Sequence, residues 1–384
     1  MNIESVNWGE LSPEIFLKQY WQKKPLLIKQ AFTDFEDTIS ADELAGLAME
    51  QEIESRIISV NNQGDWQVDH GPFEDFSKYG EDNWTLLVQA VNNWSRPTHN
   101  LLSPFSFIPN WRIDDVMVSF STPKGGVGAH LDQYDVFIIQ GSGKRHWQVG
   151  APDNTLTNLL PHADLKQVSP FTPVIDDITE PGDLLYIPPN HPHKGVSIEN
   201  SVNFSIGFQA PSSQDLWSSF ADNLIDNNLG EQRFSDPERP LPETSFTITP
   251  QDKQQLKAFM LQNLEQESFF EQFIGQYLTQ GHHALEILVP VEDIDESKLS
   301  DILSEPDILF MPVSGLKAAI INDKQATLFI NGESFALESQ TLALAEQLAQ
   351  QKPLSTGEVK KLTVCLKNIQ LLTNVLNKGY WYIE

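Results

Sequence analysis

The pair His130-Leu-Asp132 is the sharpest chemical signal in the sequence. Residues two apart on a β-strand project to the same face, so both side chains could bind one metal ion. With a more distant histidine they would form the facial triad of two histidines and one carboxylate that holds non-haem iron and leaves coordination positions open. The residue types therefore indicate iron-dependent oxygen chemistry.

A His-x-Asp pair alone is weak evidence, because nine histidines and 53 acidic residues in a chain of 384 predict roughly one His-x-Asp/Glu pair by chance. A second pair, His162-Ala-Asp164, follows Leu-Leu-Pro in a segment without strand alternation and is interpreted as a surface turn. His130 differs because it follows the glycine-rich turn Lys124-Gly-Gly-Val-Gly128 and precedes an apolar strand. The setting favours His130 as the ligand.

The third ligand is expected just after a later strand. Pro181-Gly182 predicts a turn and Leu184 to Ile187 a strand, which two prolines end. His191 and His193 follow, and both qualify from chemistry alone.

A keto-acid co-substrate such as 2-oxoglutarate needs a cation for its far carboxylate, and the forked guanidinium of arginine suits it best. Alternation places Arg145 on the apolar face of its strand and Lys144 on the opposite face. An arginine on an apolar face is costly unless an anion pairs with it, so Arg145 is the better anchor. The polar face of the strand that carries Asn203 could line the pocket, and Ser121 could add a hydroxyl, although a turn serine is the default for that position.

The elements that must position these residues are short strands separated by Gly and Pro over residues 1–211, which predict a β-sandwich or barrel. Helical periodicity over Pro13 to Trp21 and Ala41 to Met49 predicts flanking helices.

Beyond residue 211 the pattern becomes helical. A capping box at Ser212 opens one helix, and a second is predicted from Thr249-Pro250 to Tyr277. Its broad apolar face favours a dimerisation module or, equally, packing on the barrel.

Residues 281–384 carry a hairpin at Asn331-Gly332, followed by helical stretches at Thr341 to Gln350 and Gly357 to Asn377. This order is typical of a small winged-helix type of domain. The segment contains no arginine, so a nucleic-acid-reading wing is not expected.

Composition adds bounds on partners and location. With 53 acidic and 25 basic residues, the net charge of −28 disfavours nucleic acid and suits either a basic partner or simple solubility. The sequence has neither a signal-peptide pattern nor a long apolar run, and its single cysteine fits a reducing compartment, so a cytoplasmic protein is expected.

Three segments resemble the JmjC-type ribosomal oxygenases: Trp21-Gln-Lys-Lys-Pro-Leu-Leu-Ile28, His130-Leu-Asp-Gln-Tyr-Asp-Val-Phe-Ile-Ile-Gln-Gly141 and Pro181-Gly-Asp-Leu-Leu-Tyr-Ile-Pro-Pro189. The resemblance implies an α+β chain: a JmjC double-stranded β-helix of cupin type over 1–211, a helical dimerisation region over 212–280 and a winged-helix-like domain over 281–384.

The family pattern places the last ligand in a Pro-His-x-Gly step. The resemblance thus implies that His130, Asp132 and His193 hold Fe(II), which selects His193 over His191. It also implies that Arg145 binds the far carboxylate of 2-oxoglutarate, with Asn203 and Ser121 in auxiliary co-substrate positions.

The activity implied is hydroxylation by iron(II), 2-oxoglutarate and O2 of an arginine side chain in the large-subunit ribosomal protein L-sixteen, by a homodimeric enzyme. The charge of −28 would attract such a basic partner. A JmjC histidine hydroxylase or lysine demethylase is the alternative with the same iron chemistry. A cupin-like protein that binds ribosomal proteins without turnover is the alternative from another class.

Overall fold

The structure is a computed structural model that describes residues 5–61, 63–156, 165–241 and 244–384. Within these ranges, no helix combines the length and the apolar character needed to cross a membrane. The second His-x-Asp pair, His162 and Asp164, lies outside the described residues, so its predicted turn stays a prediction.

The first half of the chain folds into two antiparallel sheets. Their strands are β1 Leu26–Ile28, β2 Ser55–Val60, β3 Trp66–His70, β4 Trp84–Val88, β5 Ile113–Ser121, β6 Asp135–Gln140, β7 Arg145–Gly150, β8 Pro173–Thr179, β9 Leu184–Ile187, β10 His193–Ser197 and β11 Ser201–Phe208. The larger sheet has the order β1-β9-β6-β11-β5-β4-β2-β3, and the smaller has the order β10-β7-β8.

The two sheets pack face to face through a small apolar layer. Ile138 and Leu185 of the larger sheet contact Trp147 and Val149 of the smaller sheet, and all four are buried. This is the double-stranded β-helix that the family resemblance implies, where the strand pattern alone predicts a β-sandwich or barrel. It encloses a pocket between the sheets.

The outer face of the larger sheet is covered by N-terminal helices, as predicted. Helix α1 (Pro13–Gln19) buries Phe16 against the rings of Phe137 and Tyr186, at centroid distances of 5.3 and 4.8 Å. Both this helix and α2 (Ala41–Leu47) begin at a serine whose hydroxyl accepts a backbone N–H of the first turn. A short helix, α3 (Arg96–His99), precedes β5.

The helical region contains α4 (Ser213–Asp226), α5 (Pro250–Leu261) and α6 (Glu267–Thr279). The capping box at the start of α4 is confirmed. The prediction of one helix from Thr249 to Tyr277 is wrong, because the polar segment 262–266 separates α5 from α6. This break lets Phe273 of α6 pack against Phe220 of α4, with ring centroids 5.1 Å apart.

The C-terminal region has its own buried core. Its elements are α7 Glu296–Ser304, β12 Leu309–Pro312, β13 Ala318–Ile321, β14 Thr327–Ile330, β15 Glu333–Ala336, α8 Leu342–Gln350, β16 Leu354–Ser355, α9 Thr356–Leu362, α10 Leu366–Asn377 and β17 Trp381–Ile383. The small sheets β16-β12-β17 and β13-β14-β15 combine with these helices as expected for a winged helix.

Two local predictions in this region can be compared with the structure. Asn331 and Gly332 join β14 to β15 with φ values of 49° and 78°, as the predicted type I′ turn requires. The helical stretch from Gly357 to Asn377 is instead two helices. Its chain turns at Thr363, where the Asn368 amide donates to the Leu362 carbonyl and caps the end of α9.

Candidate active site

His130 and His193 are held together by their own backbones. His193 is the first residue of β10, and His130 lies in the loop before β6. Each backbone N–H donates to the carbonyl of the other residue at 3.0 Å. This small antiparallel bridge fixes both imidazoles on the same side, with ring centroids 4.2 Å apart.

Asp132 completes a compact group of possible metal ligands. Its Oδ2 lies 3.7 Å from His130 Nε2 and 3.4 Å from His193 Nε2. One ligand atom from each of the three residues falls within a sphere of mutual distances below 4.8 Å. Ligand atoms at about 2.1 Å from one ion, with perpendicular bonds, lie roughly 3 Å apart, so a single ion fits this group with small adjustments.

The second nitrogen of each imidazole is already engaged. Nδ1 of His130 lies 3.1 Å from the carbonyl of Gly128, and Nδ1 of His193 lies 3.0 Å from the carbonyl of His191. Donation from Nδ1 to these carbonyls fixes the tautomer and leaves Nε2 free as a lone-pair donor toward the metal. The donor set therefore fits a divalent transition metal such as iron(II).

The pKa shifts of His130 and Asp132 suit metal binding, whereas that of His193 favours its protonated form, so a metal must displace this proton. Burial, reinforced by His193, lowers the pKa of His130 to about 4, which keeps its imidazole neutral and able to bind a metal. Burial opposes ionisation of Asp132, but His130 and His193 outweigh it and lower the pKa of this carboxyl. Burial likewise disfavours the charged form of His193, yet the hydrogen bond to Asp132 raises its pKa.

His191 is placed differently from its neighbour. Its Nδ1 faces the carbonyl of Pro189 at 3.0 Å, and it does not join His130 and Asp132. Of the two histidines that chemistry alone left open, position favours His193, because it stands within reach of both His130 and Asp132. Residues two apart on an extended chain share a face, but the turn at Asn190, with a φ of 61°, precedes the strand and redirects His191.

Arg145 is a buried cation without an anionic partner among the described residues. The side chain donates to the Ser121 hydroxyl, stacks at 5.7 Å over the Trp147 ring, and leaves its Nε without a hydrogen-bond partner. Burial lowers the pKa of Arg145 to about 10, so it remains charged at neutral pH. An unpaired charge in such a position is costly, and a ligand carboxylate would compensate it.

Of the two auxiliary positions, Ser121 contacts the Arg145 side chain, whereas Asn203 contacts Gln140. Ser121, on β5, is the residue that accepts from the Arg145 guanidinium. Asn203, on β11, donates to Gln140 at 2.9 Å, and its own carbonyl oxygen is buried without a partner. Asn203 does not reach the wall of the pocket, whereas Ser205, Gly207 and Gln209 of the same strand face do.

The pocket between the sheets has a volume of about 540 Å³ and is lined by all three possible ligands and by Arg145. Sequence reasoning missed several of its other lining residues: Arg56, Asp114, Asp115, His282 and His283. Two adjacent acids at the start of an apolar strand were a readable signal for the aspartates. No local signal exists for Arg56, or for histidines that arrive from beyond the catalytic sheets.

The acidic end of this pocket is electrostatically unusual. Asp115 is buried, and its Oδ2 accepts the backbone N–H of Ala90 at 2.7 Å. Burial raises the pKa of Asp115 to about 6, Asp114 acts in the same direction, and His283 and Lys317 act against it.

Comparison with protein families finds two matches along the chain. Residues 100–216 match the JmjC domain, and residues 261–382 match the ROXA-like winged helix. Together they cover β5 to β11, which include the possible metal ligands and Arg145, and nearly all of the C-terminal region, but not β1 to β4.

Two curated relatives align over most of their lengths. The ribosomal protein uL16 3-hydroxylase of Escherichia coli is 42% identical over 99% of this chain and 98% of its own. A probable ribosomal oxygenase of Haemophilus influenzae is 31% identical over 91% of this chain and 87% of its own.

Comparison with solved structures finds similar folds over nearly the whole chain. The X-ray structure of E. coli YcfD superposes with a TM-score of 0.91 at 42% identity, covering 98% of this chain and 99% of that one. A structure of E. coli YcfD, a ribosomal oxygenase, in complex with cobalt and 2-oxoglutarate superposes with a TM-score of 0.87 at 41% identity, covering 99% of both chains.

Proposed function

The chain belongs to the JmjC family of ribosomal oxygenases, and from that premise we propose that it is an iron(II)- and 2-oxoglutarate-dependent hydroxylase of an arginine side chain in ribosomal protein uL16. The observation that carries the proposal is one pocket that holds both the His130, Asp132 and His193 group and the unpaired Arg145. A divalent metal and a dianionic keto acid are the ligands that such a combination suits.

Each residue has a defined task in this proposal. His130, Asp132 and His193 hold iron(II), and Arg145 binds the far carboxylate of 2-oxoglutarate while Ser121 orients the guanidinium. Asn203 supports the same region through Gln140. With these groups bound, iron, O2 and 2-oxoglutarate supply the oxidising chemistry that hydroxylates an unactivated carbon, and succinate and CO2 are formed.

The end of the pocket away from Arg145 is acidic, and for this reason the proposed substrate side chain is a cation. Asp114 and Asp115 stand at the start of β5, whereas Ser121 stands at its end, so the two ends of the pocket lie roughly 20 Å apart along the strand. The net charge of −28 favours approach of a basic protein. A guanidinium between these acids would leave its aliphatic chain pointing back toward the metal group.

We place three units along the chain: catalytic over 1–211, helical over 212–280 and winged-helix over 281–384. Helix α6 joins the last two, since Gly275 lies directly against the Phe329 ring of β14. The exposed apolar residues of the helical region support a homodimer. A ribosomal protein substrate supports activity in the cytoplasm.

The test is mass spectrometry of uL16 incubated with the protein, iron(II), ascorbate and 2-oxoglutarate, beside a reaction that lacks 2-oxoglutarate. We expect a co-substrate-dependent gain of one oxygen that fragmentation maps to an arginine. The Asp132→Ala variant should fold normally and show neither the gain nor succinate release. Asp164→Ala, in the second His-x-Asp pair, is the matched control and should behave as wild type.

Other outcomes would change the assignment. Oxygen gained on a histidine, or a methyl group lost from a lysine, would replace arginine as the target while keeping the iron chemistry. Iron binding without succinate release or any product would support a protein that binds ribosomal segments without turnover. Activity retained by Asp132→Ala would remove that residue from the metal site.

A further inference from the structure

The wall of the pocket includes a residue from outside the catalytic sheets. His283 lies in the segment between α6 and α7, more than 70 residues beyond the end of β11. Its imidazole is largely buried, with 23% of the side chain exposed, and it lines the same pocket as the metal-binding group.

The backbone around His283 is fixed to the catalytic region. The Asn93 side chain donates to the carbonyl of Ala284 at 2.9 Å. The same short turn holds the acidic end of the pocket, because Ala90 N–H donates to Asp115 and the side-chain Oδ1 of Asn92 accepts from Val116 N–H. The turn at residues 90–93 therefore fixes the position of Asp115 and that of the segment carrying His283.

The distance between the two side chains leaves room for a donor. Nε2 of His283 lies 3.9 Å from Oδ2 of Asp115, which is too long for a direct hydrogen bond. Asp114 adds a third acceptor, since one atom from each of the three residues lies within 4.8 Å of the others. Within the described residues, Oδ1 of Asp115 has no hydrogen-bond partner.

We propose that His283 is a specificity-determining residue that, beside Asp115, accepts a hydrogen bond from the guanidinium of the substrate arginine. The inference rests on the proposed function and adds to it a contribution of the C-terminal half of the chain. A guanidinium is planar and carries five N–H donors in a fixed fork, so neighbouring N–H groups can donate to His283 and to Asp115 at once. A lysine ammonium is a point donor on a flexible stem and fits such a set of adjacent acceptors less well.

The test compares His283→Ala, His283→Gln and His283→Lys with wild type on uL16. Loss of a hydrogen bond to a charged group should raise KM for uL16 roughly ten- to one-hundred-fold in His283→Ala. His283→Gln keeps an acceptor and should recover most of that loss, whereas His283→Lys adds a like charge and should be worse than alanine. His146→Ala, an exposed histidine paired with Asp176 on the outer face of β7, is the control and should match wild type.

A second readout separates recognition from general damage. Succinate release without protein substrate, and affinity for 2-oxoglutarate, should be unchanged in His283→Ala, since the metal-binding group and Arg145 are intact. The preference for a target peptide with arginine over the same peptide with lysine should shrink several-fold. A variant that is merely misfolded would lose all of these activities together.

Several results would overturn the proposal. One is an unchanged KM and an unchanged arginine preference in His283→Ala. Another is a KM for His283→Gln as high as that for His283→Ala. A second equivalent of Mn²⁺ that binds wild type and is lost in His283→Ala would assign the cluster to a metal instead. If wild type leaves every arginine of uL16 unmodified, the substrate assignment itself fails, and the guanidinium role of His283 fails with it.

Discussion

At the scale of single residues, charge separates the two ends of the pocket. Among the described residues, Arg145 is a buried cation without an anionic partner, and Asp115 is a buried acid whose ion-pair partner is His283, at 3.9 Å. Each would be destabilising in an empty core, and each is compensated by a ligand of opposite charge. The same strand, β5, carries Asp115 near its start and Ser121 at its end, so one element sets both binding ends.

The pH dependence of kcat/KM should report Asp115. Its pKa of about 6 means that the carboxyl is charged above this pH and binds a cation, and is neutral below it. We therefore expect kcat/KM for uL16 to fall about tenfold per unit below pH 6, because this parameter reports groups of the free enzyme. Steady-state rates from pH 5 to 8 in a buffer of constant ionic strength would measure it.

Two variants test whether Asp115 is the group that causes the fall of kcat/KM on the acid side of the pH profile, here called the acid limb. Asp115→Asn keeps an acceptor for the Ala90 N–H, so it should fold, lose substrate affinity and show no limb near pH 6. Asp114→Asn removes a like charge that raises the pKa of Asp115, so its limb should move to lower pH. The groups that face Asp115 from the C-terminal region, His283 and Lys317, remain in both variants. A limb that persists unchanged in Asp115→Asn would assign it elsewhere.

At the scale of elements, the site depends on how closely β10 approaches β7. Gly195 pairs with Trp147 across these strands. A Cβ at Gly195 would lie 2.8 Å from three atoms of the Trp147 ring, which is too close for carbon atoms. The glycine is therefore required for packing here, and it stands two residues after His193.

Gly195→Ala should weaken the metal site from a distance. The added methyl must displace β10 or the Trp147 ring, with a destabilisation of about 1–3 kcal/mol. Displacing His193 should lower affinity for Mn²⁺ roughly tenfold, as loss of ligand orientation does. Calorimetric titration and urea unfolding would measure the two effects.

Gly46→Ala is the matched control for this substitution. A Cβ at Gly46 in helix α2 meets no atom within 4 Å, and alanine is preferred in a helix by about 0.5–1 kcal/mol. This variant should be at least as stable as wild type and bind metal normally. Wild-type metal affinity in Gly195→Ala would show that the site tolerates movement of β10.

The same scale explains where sequence reasoning on the fold succeeds. Alternation and turn residues predict β6, β9 and the Asn331-Gly332 hairpin, because these depend on neighbours in the chain. Helix breaks at 262–266 and at Thr363 were missed. Neither contains Gly or Pro, and the first break is favoured by the packing of Phe273 on Phe220, which no local pattern encodes.

At the scale of the whole molecule, the site is assembled from distant parts of the chain. His130 and Asp132 could be predicted from spacing, and Arg145 from its place on an apolar strand face. His283 could not be, because its nearness to Asp115 depends on the path of three helices and on the anchor from Asn93. The two sheets of the catalytic region therefore enclose the pocket only in part, and His283 from the C-terminal half adds to its wall.

The helical region, residues 212–280, leaves several large apolar side chains exposed to solvent. Ile225 of α4 and Met260 of α5 are 70% and 71% exposed, and Trp217, Leu229 and Leu256 are exposed as well. Several large apolar side chains exposed on two helices of one region are typical of an interface. The region does not close this surface itself, which is why we propose that a second copy of the chain covers it.

Ile225→Glu should convert the dimer to a monomer, because a carboxylate on the shared face would be buried without a partner. Size-exclusion chromatography with light scattering at micromolar concentration measures the mass directly. Val364→Glu, at a residue 79% exposed outside the helical region, is the control and should leave the mass unchanged. A wild-type monomer, or a dimer that survives both Ile225→Glu and Met260→Glu, would place the interface elsewhere. Since helix α6 connects these helices to His283, a monomeric variant that also loses affinity for uL16 would show that dimer contacts help to set the pocket wall.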